Sequence, residues 1–236
     1  GRRNDLITLY IVAGFGRLRH LGAGGDVALA LQALPRLDAW MAETQAESVK
    51  RGGAGEVPLA PTHALYLYAR SFFLKDLAVE PGSHPALGQL LEQAKRTWPK
   101  LGRQAQGHVA LALSRWGEGA VAQEILKSLR DRATQDDTQG MYWRDTEGAW
   151  DWFQAPIETQ ALMIEALLEV AGDAASAEAC QVWLLRQKQV QDWRSTKATA
   201  DAVYALLMGG RALLGSEAQV EVSLGGVKIE PEQAEA

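Results

Sequence analysis

"QALMIEALLEV" (160–170) is apolar at almost every position, and its only charges, Glu165 and Glu169, lie four residues apart. Residues at that spacing share one line along a helix, so the two acids form a single thin stripe. A helix with so little polar surface is expected to be covered on most sides. The same character recurs in "LITLYIVAGF" (6–15), "HALYLYARSFFL" (63–74), "HVALAL" (108–113) and "ATADAVYALLM" (198–208).

Between these segments lie helices of a second kind, with one apolar face. Leu87, Leu90, Leu91, Ala94 and Trp98 share a face, as do Val121, Ile125, Leu129 and Ala133, and Cys180, Trp183 and Leu184. Val27, Leu31, Leu34 and Met41 repeat the pattern around Pro35, which is expected to kink its helix. The punctuation fits these divisions: Asp26, Thr62 and Ser195 suit N-caps, Pro156 a first turn, and Gly172 and Gly209 helix ends.

Nine helices alternating strictly between the two kinds predict an all-α fold, an α/α toroid in which buried helices form an inner ring and amphipathic ones an outer ring. A helical-repeat solenoid is the alternative, but the buried segments recur too unevenly for a standard repeat. Because nine is odd and the chain starts at Gly1 rather than Met, it reads as a fragment whose toroid lacks N-terminal helices. After Gly215 the pattern changes to "AQVEVSLGGVKIE", alternating apolar runs around Gly225-Gly226, which predicts a β-hairpin. Two lone strands are marginal, so the expected division is a helical domain over 1–212 and the edge of an adjoining β domain over 216–236.

The 236 residues suffice for a large core, and 47% apolar with 22% charged is ordinary for a globular protein. A net charge of −5 offers no basic surface for nucleic acid, and no apolar run is long enough to span a membrane. Cys180 is the single cysteine, which excludes an intramolecular disulfide and a cysteine-rich zinc site. It lies on an apolar stripe far in sequence from any histidine, and reads as core filler rather than as a nucleophile. His20, His63, His84 and His108 show no metal-ligand spacing, and His63 and His108 are each read as opening a buried helix. The Gly-rich stretches lack the Lys-Ser/Thr of a phosphate-binding loop, and Asp136-Asp137 does not extend to the DDxxD of terpene cyclases. No cofactor or metal is expected.

The richest segment is "DDTQGMYWRDTEGAWDWFQAP" (136–156), which sets acids among Trp143, Trp150, Trp152 and Phe153. Tryptophan platforms beside paired carboxyls are what a glycoside hydrolase cleft needs, so a toroid glycosidase or carbohydrate-binding module is an open alternative. The segment also reads as a partner surface built from Trp143, Asp145, Glu147, Trp150, Asp151 and Trp152, or as packing that plugs one end of the helical body.

"QKQVQDWRSTKATADAVYALL" (187–207) resembles the QW motif of triterpene cyclases, in which glutamine and tryptophan tie outer helix ends to inner ones. "PIETQALMIEALLEV" (156–170) and "STKATADAVYALLMG" (195–209) also match, with Ala166-Leu167-Leu168 over Ala205-Leu206-Leu207. The stretch is therefore a joint between helices, with Gln187, Trp193 and Ser195 as its structural residues.

The blocks "GRRNDLITLYIVAGFGRLRHLG" (1–22), "YWRDTEGAWDWFQAPIETQALMIEALLEV" (142–170) and "WLLRQKQVQDWRSTKATADAVYALL" (183–207) resemble the helical thioester-type domain of bacterial alpha-2-macroglobulins. That resemblance implies a toroid inserted in a β-sandwich domain, within a large periplasmic protein that entraps proteases once its bait region is cut. It further implies inner-membrane attachment through a lipid anchor outside these residues. Its implied partners are other domains of the same chain, the target proteases and, in some members, a peptidoglycan-synthesis protein. Thioester-bearing members carry Cys-x-Glu-Gln, normally near the start of the domain. Here Gln181, Val182 and Trp183 follow Cys180, so no thioester forms at it. The motif either precedes Gly1 or is lacking; the blocks look more like the branch that lacks it, and no catalytic activity is expected.

Overall fold

The computed structural model describes residues 4–23, 25–52, 59–79, 84–148, 151–190, 193, 195–214, 222–224 and 227–229. Among them are nine helices: α1 (Asp5–His20), α2 (Ala28–Gly52), α3 (Pro61–Ser71), α4 (Pro85–Thr97), α5 (Arg103–Arg115), α6 (Gly119–Asp131), α7 (Pro156–Ala166), α8 (Ala174–Val190) and α9 (Thr196–Leu214). Strands β1 (Thr134–Asp136) and β2 (Gly140–Tyr142) pair antiparallel, as do β3 (Val222–Leu224) and β4 (Val227–Ile229). The second pair is the hairpin expected from "VEVSLGGVKI"; Val220 and the turn at 225–226 lie outside the described residues.

The two kinds of helix pack in two ways. Odd-numbered helices contact one another in order, α1 on α3, α3 on α5, α5 on α7 and α7 on α9. Each even-numbered helix lies against members of that row: α2 on α1 and α3, α4 on α3, α6 on α5, and α8 on α7 and α9. Burial follows the sequence pattern. Residues 63–71 of α3, 104–113 of α5 and 158–166 of α7 are buried without a break. By contrast α4 buries one stripe, Leu87, Leu90, Leu91 and Ala94, and α6 another, Ala122, Ile125, Leu126 and Leu129.

Helix α2 runs through Pro35 as one α-helix, as the apolar pattern on both sides of that residue implies. Several other boundaries differ from the sequence reading. Helix α5 starts at Arg103, so His108 lies in mid-helix; the early turns are polar yet buried, because Gln106 donates to the carbonyls of Trp98 and Leu101. Helix α9 continues through Gly209 to Leu214, since a glycine costs a helix only about 1 kcal/mol. Thr62 lies inside α3, whose entry is held by the Ala60 amide donating to His63 Nδ1 at 3.2 Å. Ser195 does cap α9, accepting the Ala198 amide at 3.0 Å, and Gly172 ends the α7 segment with φ 61° after a π-helical turn (Leu167–Ala171).

The acid-tryptophan segment begins as a hairpin. Asp136 Oδ1 accepts the amides of Thr138 and Gln139, which folds the chain back into β2. Gly140 is required there twice over: its φ is 84°, and a side chain would strike the Ala179 carbonyl of α8. Tyr142 stacks on Trp183, and Gln160 of α7 donates to the Met141 carbonyl at 2.7 Å, so the hairpin is fixed to both helices.

Candidate functional site

The most concentrated chemistry lies between the odd-numbered helices, where each of the five contributes polar side chains. Helix α1 supplies Tyr10 and Arg17, α3 Tyr68, α5 His108 and Arg115, α7 Glu158 and Glu165, and α9 Lys197, Asp201 and Tyr204. The two-turn interval repeats in four helices: 10 and 17, 108 and 115, 158 and 165, 197 and 204. Seven residues return a helix to nearly the same face, so each helix offers two polar groups one above the other.

These groups form a continuous relay. Asp201 accepts from Tyr10 at 3.0 Å and from Arg17; Arg17 Nε donates to the Tyr68 hydroxyl at 2.8 Å. Tyr68 in turn donates to Glu165 Oε2 at 2.7 Å. The other Glu165 oxygen accepts from Arg115 at 2.8 Å and Tyr204 at 3.2 Å. Arg115 also holds Glu169 with two bonds, of 2.7 and 2.6 Å. One layer down, Lys197 lies 3.4 Å from both Glu158 and Asp201. The sequence repeat explains part of this: Glu158 aligns with Lys197 and Glu165 with Tyr204, and both aligned pairs are in contact. Matching positions touch because α7 and α9 lie side by side in the same direction.

The electrostatics are those of a satisfied network. Burial works against the charges of Arg17 and Arg115, yet Asp201 for the first and Glu169 for the second hold both guanidiniums protonated well above their ordinary range. Burial, followed by the neighbouring Arg17, Lys197 and Arg115, keeps His108 neutral. Tyr68 and Tyr204 are pushed far up by burial, so they act as hydroxyl donors rather than phenolates. Buried ion pairs add little net stability, because desolvation offsets the attraction; what they fix is which partners face each other.

A narrow cleft opens beside the lower layer, lined by Tyr10, Gln104, His108, Trp152, Lys197 and Asp201, and its free space of about 10 Å³ suits one water at most. Among the described residues no group of three His, Cys, Asp or Glu side chains is placed to hold a metal. No helix among them is long and apolar enough to cross a membrane.

The segment singled out in the sequence is not gathered into one surface. Trp143, 2% exposed, points into the core and donates to the Leu129 carbonyl at 2.9 Å, which removes it from any partner face. Asp145 is exposed and held by Arg103 at 2.8 Å, Glu147 is exposed, and Asp151 accepts the Phe153 amide in a local turn. Trp152, 40% exposed, lies edge-on to Tyr10 with Lys197 over its ring. Trp150 lies outside the described residues. At the 187–207 joint, Trp193 is buried and donates to the Leu184 carbonyl at 3.4 Å, while Gln187 is partly exposed on α8. Cys180 is fully buried, and burial pushes its thiol far above the ordinary range. Compared with known proteins, the chain matches no family model and no curated protein.

Proposed function

We propose that this chain is the helical domain of a bacterial alpha-2-macroglobulin-like protease trap, an α/α toroid that acts through its shape and contacts without chemistry of its own. In this reading the odd-numbered helices are the inner ring and the even-numbered helices the outer one. Its setting is the periplasm, in a longer protein anchored to the inner membrane. The three resembling sequence blocks support it, and one structural observation carries it: the most chemically endowed region is a buried relay in which each acid already has a donor. Such a region joins helices and has its acids engaged in pairing rather than held free for turnover. The buried Cys180 agrees with trapping that forms no thioester link.

The test uses the full-length protein, incubated with a protease and analysed for bait cleavage, retained protease and methylamine-sensitive linkage. Retention that methylamine does not alter is the expected result. Absence of both bait cleavage and retention overturns the trap, and a methylamine-sensitive link overturns the non-covalent part. The carbohydrate reading rests on the acid-tryptophan segment 136–156, whose exposed Trp152 borders the cleft beside Asp201; there Asp201 is paired with Arg17 and Lys197, and the free space is far below a sugar ring.

A further inference from the structure

A pocket with about 190 Å³ of free space lies away from the ionic core, where α2, α3 and the start of α4 meet. Its walls are mainly apolar, with Met41 and Ala42 from α2 and Ala86, Leu87 and Leu90 from α4. Two of these are alanines, one on each helix, and their short side chains leave the space that larger residues would fill. A water takes up about 30 Å³, so the pocket is larger than a hydration site and has room for a short alkyl chain.

Asp38 of α2 lines the same pocket and supplies its polar end. Its side chain is only 10% exposed and packs against Tyr66 and Arg70 of α3. Tyr66 donates to Oδ1 at 2.7 Å, and burial, followed by the charge of Asp38, keeps that phenol protonated far above its ordinary range. Arg70 is fully buried and also reaches Oδ1, but only through Nε and at 3.3 Å. Its terminal nitrogens turn instead to the carbonyls of Phe73, at 3.4 Å, and Leu77, at 2.7 Å. The two-pronged grip that Arg19 has on both oxygens of Asp76 is therefore not made here. Both donors fall on one oxygen, and among the described residues Oδ2 has no donor. Burial has removed most of the water that would solvate this carboxylate, so an open oxygen is costly. No lysine or arginine lines the pocket among the described residues.

We infer that this pocket binds a primary alkylammonium group, with its aliphatic stem between α2 and α4 and its ammonium donating to Asp38 Oδ2. The apolar walls select the stem. The carboxylate selects a cation over a neutral alcohol, because a hydrogen bond between charged partners is about twice as strong as a neutral one. A free amine and a lysine side chain share this chemistry. The inference is independent of the protease-trap reading.

The test titrates n-butylammonium chloride at neutral pH into the full chain carrying carbon-13 methyl groups on methionine, read by NMR. Met41 lines the pocket, whereas Met141 and Met163 are buried elsewhere, so the readout is specific to the site. The Met41 signal is identified by its loss in Met41→Leu. It is expected to shift to saturation while Met141 and Met163 stay in place. Binding of n-butanol is expected to be about tenfold weaker, and sodium butyrate should leave the signal unmoved. Asp38→Asn should weaken n-butylammonium binding about tenfold, and Ala42→Leu, which fills the space and keeps the carboxylate, should abolish it. If Asp38→Asn fails to fold for want of its pairing with Arg70, Ala42→Leu carries the test. Three results each overturn the inference: no shift of Met41, equal binding of n-butanol, or binding that survives Ala42→Leu. Nα-acetyl-lysine methylamide separates the two sources. Binding as tight as that of n-butylammonium admits a lysine of a partner polypeptide, and its exclusion restricts the pocket to free amines; either result upholds the inference.

Discussion

Glu165 is fully buried with three donors on its two carboxylate oxygens, drawn from α3, α5 and α9. Asp145, in the segment after α6, has a side chain about half in water and one partner, Arg103. In the sequence Asp145 sits among aromatics and an arginine and Glu165 in an apolar run, and the two do different work. In the ionic core a carboxylate leaves water entirely, and each helix around it must deliver a donor to the same point. In the surface segment water supplies most of what the carboxylate needs, so its partner is dispensable. The density of acids and aromatics in a stretch of sequence is thus a poor guide to where the chemistry concentrates.

Removing each acid is the strongest way to break the comparison. Glu165→Ala leaves Arg115 and two tyrosine hydroxyls facing a buried gap, and losing one partner of a buried pair costs about 3–5 kcal/mol. For a chain of this size that lowers Tm by roughly 6–20 °C. Asp145→Ala should cost at most about 1 kcal/mol, as exposed pairs do. Thermal melts followed by circular dichroism measure both, and equal losses would remove the distinction.

Acid sharpens it, because buried histidines and the surface carboxylate Asp136 resist protonation over different pH ranges. His63, at the start of α3, has its pKa lowered from 6.5 to about 4 by burial, and His108 is displaced in the same direction. The unfolded chain therefore binds protons that the folded chain refuses as pH falls below 6.5. Stability is full above that pH and declines toward pH 4, by about 3 kcal/mol for a shift of this size at a single histidine. In the surface segment Asp136 is held ionised, first by the Gln139 amide and then by Thr138, so it gives way only in more strongly acid solution. Urea titrations between pH 7 and pH 4 should show the loss, and it should shrink in His63→Phe. A flat profile over that range would mean that both histidines charge freely in the fold.

The surface segment is itself divided at Trp143. Trp143→Phe keeps most of the buried volume but strands the Leu129 carbonyl, a loss of about 1–3 kcal/mol by the same melts. The sequence placed this residue on the candidate surface because tryptophan beside acids looked like a platform. Its inward direction follows from β2, where alternation along the strand puts Met141 and, just past its end, Trp143 on one face with Tyr142 on the other, and from Gly140 pressing the strand onto α8.

The helical pattern was far more legible than the ionic core. Apolar spacing located all nine helices and the covered faces of α4, α6 and α8, because burial of those faces is decided locally, within one helix. Ser195, Pro156 and Gly172 were readable for the same reason. The core escaped because each of its members is a single polar residue on an otherwise apolar helix, and Arg17 meets Asp201 across 184 residues of chain. One signal was available: the seven-residue interval shared by Tyr10 and Arg17, His108 and Arg115, Glu158 and Glu165, and Lys197 and Tyr204. The match between 156–170 and 195–209 carried it too, since it aligns the two pairs that prove to be in contact. Helix ends at Gly209 and His108 were misjudged where a glycine or a polar run stopped the apolar pattern but tertiary burial continued the helix.

The smallest expected effect belongs to Trp152, which lies at the mouth of the ionic core yet belongs to the surface segment. Its ring touches Tyr10 edge-on and carries Lys197 at 5.3 Å, contacts worth about 0.5–1.5 kcal/mol for the aromatic pair and less for a cation in reach of water. Since Tyr10 and Lys197 keep Asp201 and Glu158 as partners without it, Trp152→Ala should lower stability by about 1 kcal/mol or less. The same melts decide the point. A loss as large as that of Trp143→Phe would make the indole part of the core relay, closing its lower end against water, and the boundary between the two regions would move from Trp143 to Trp152.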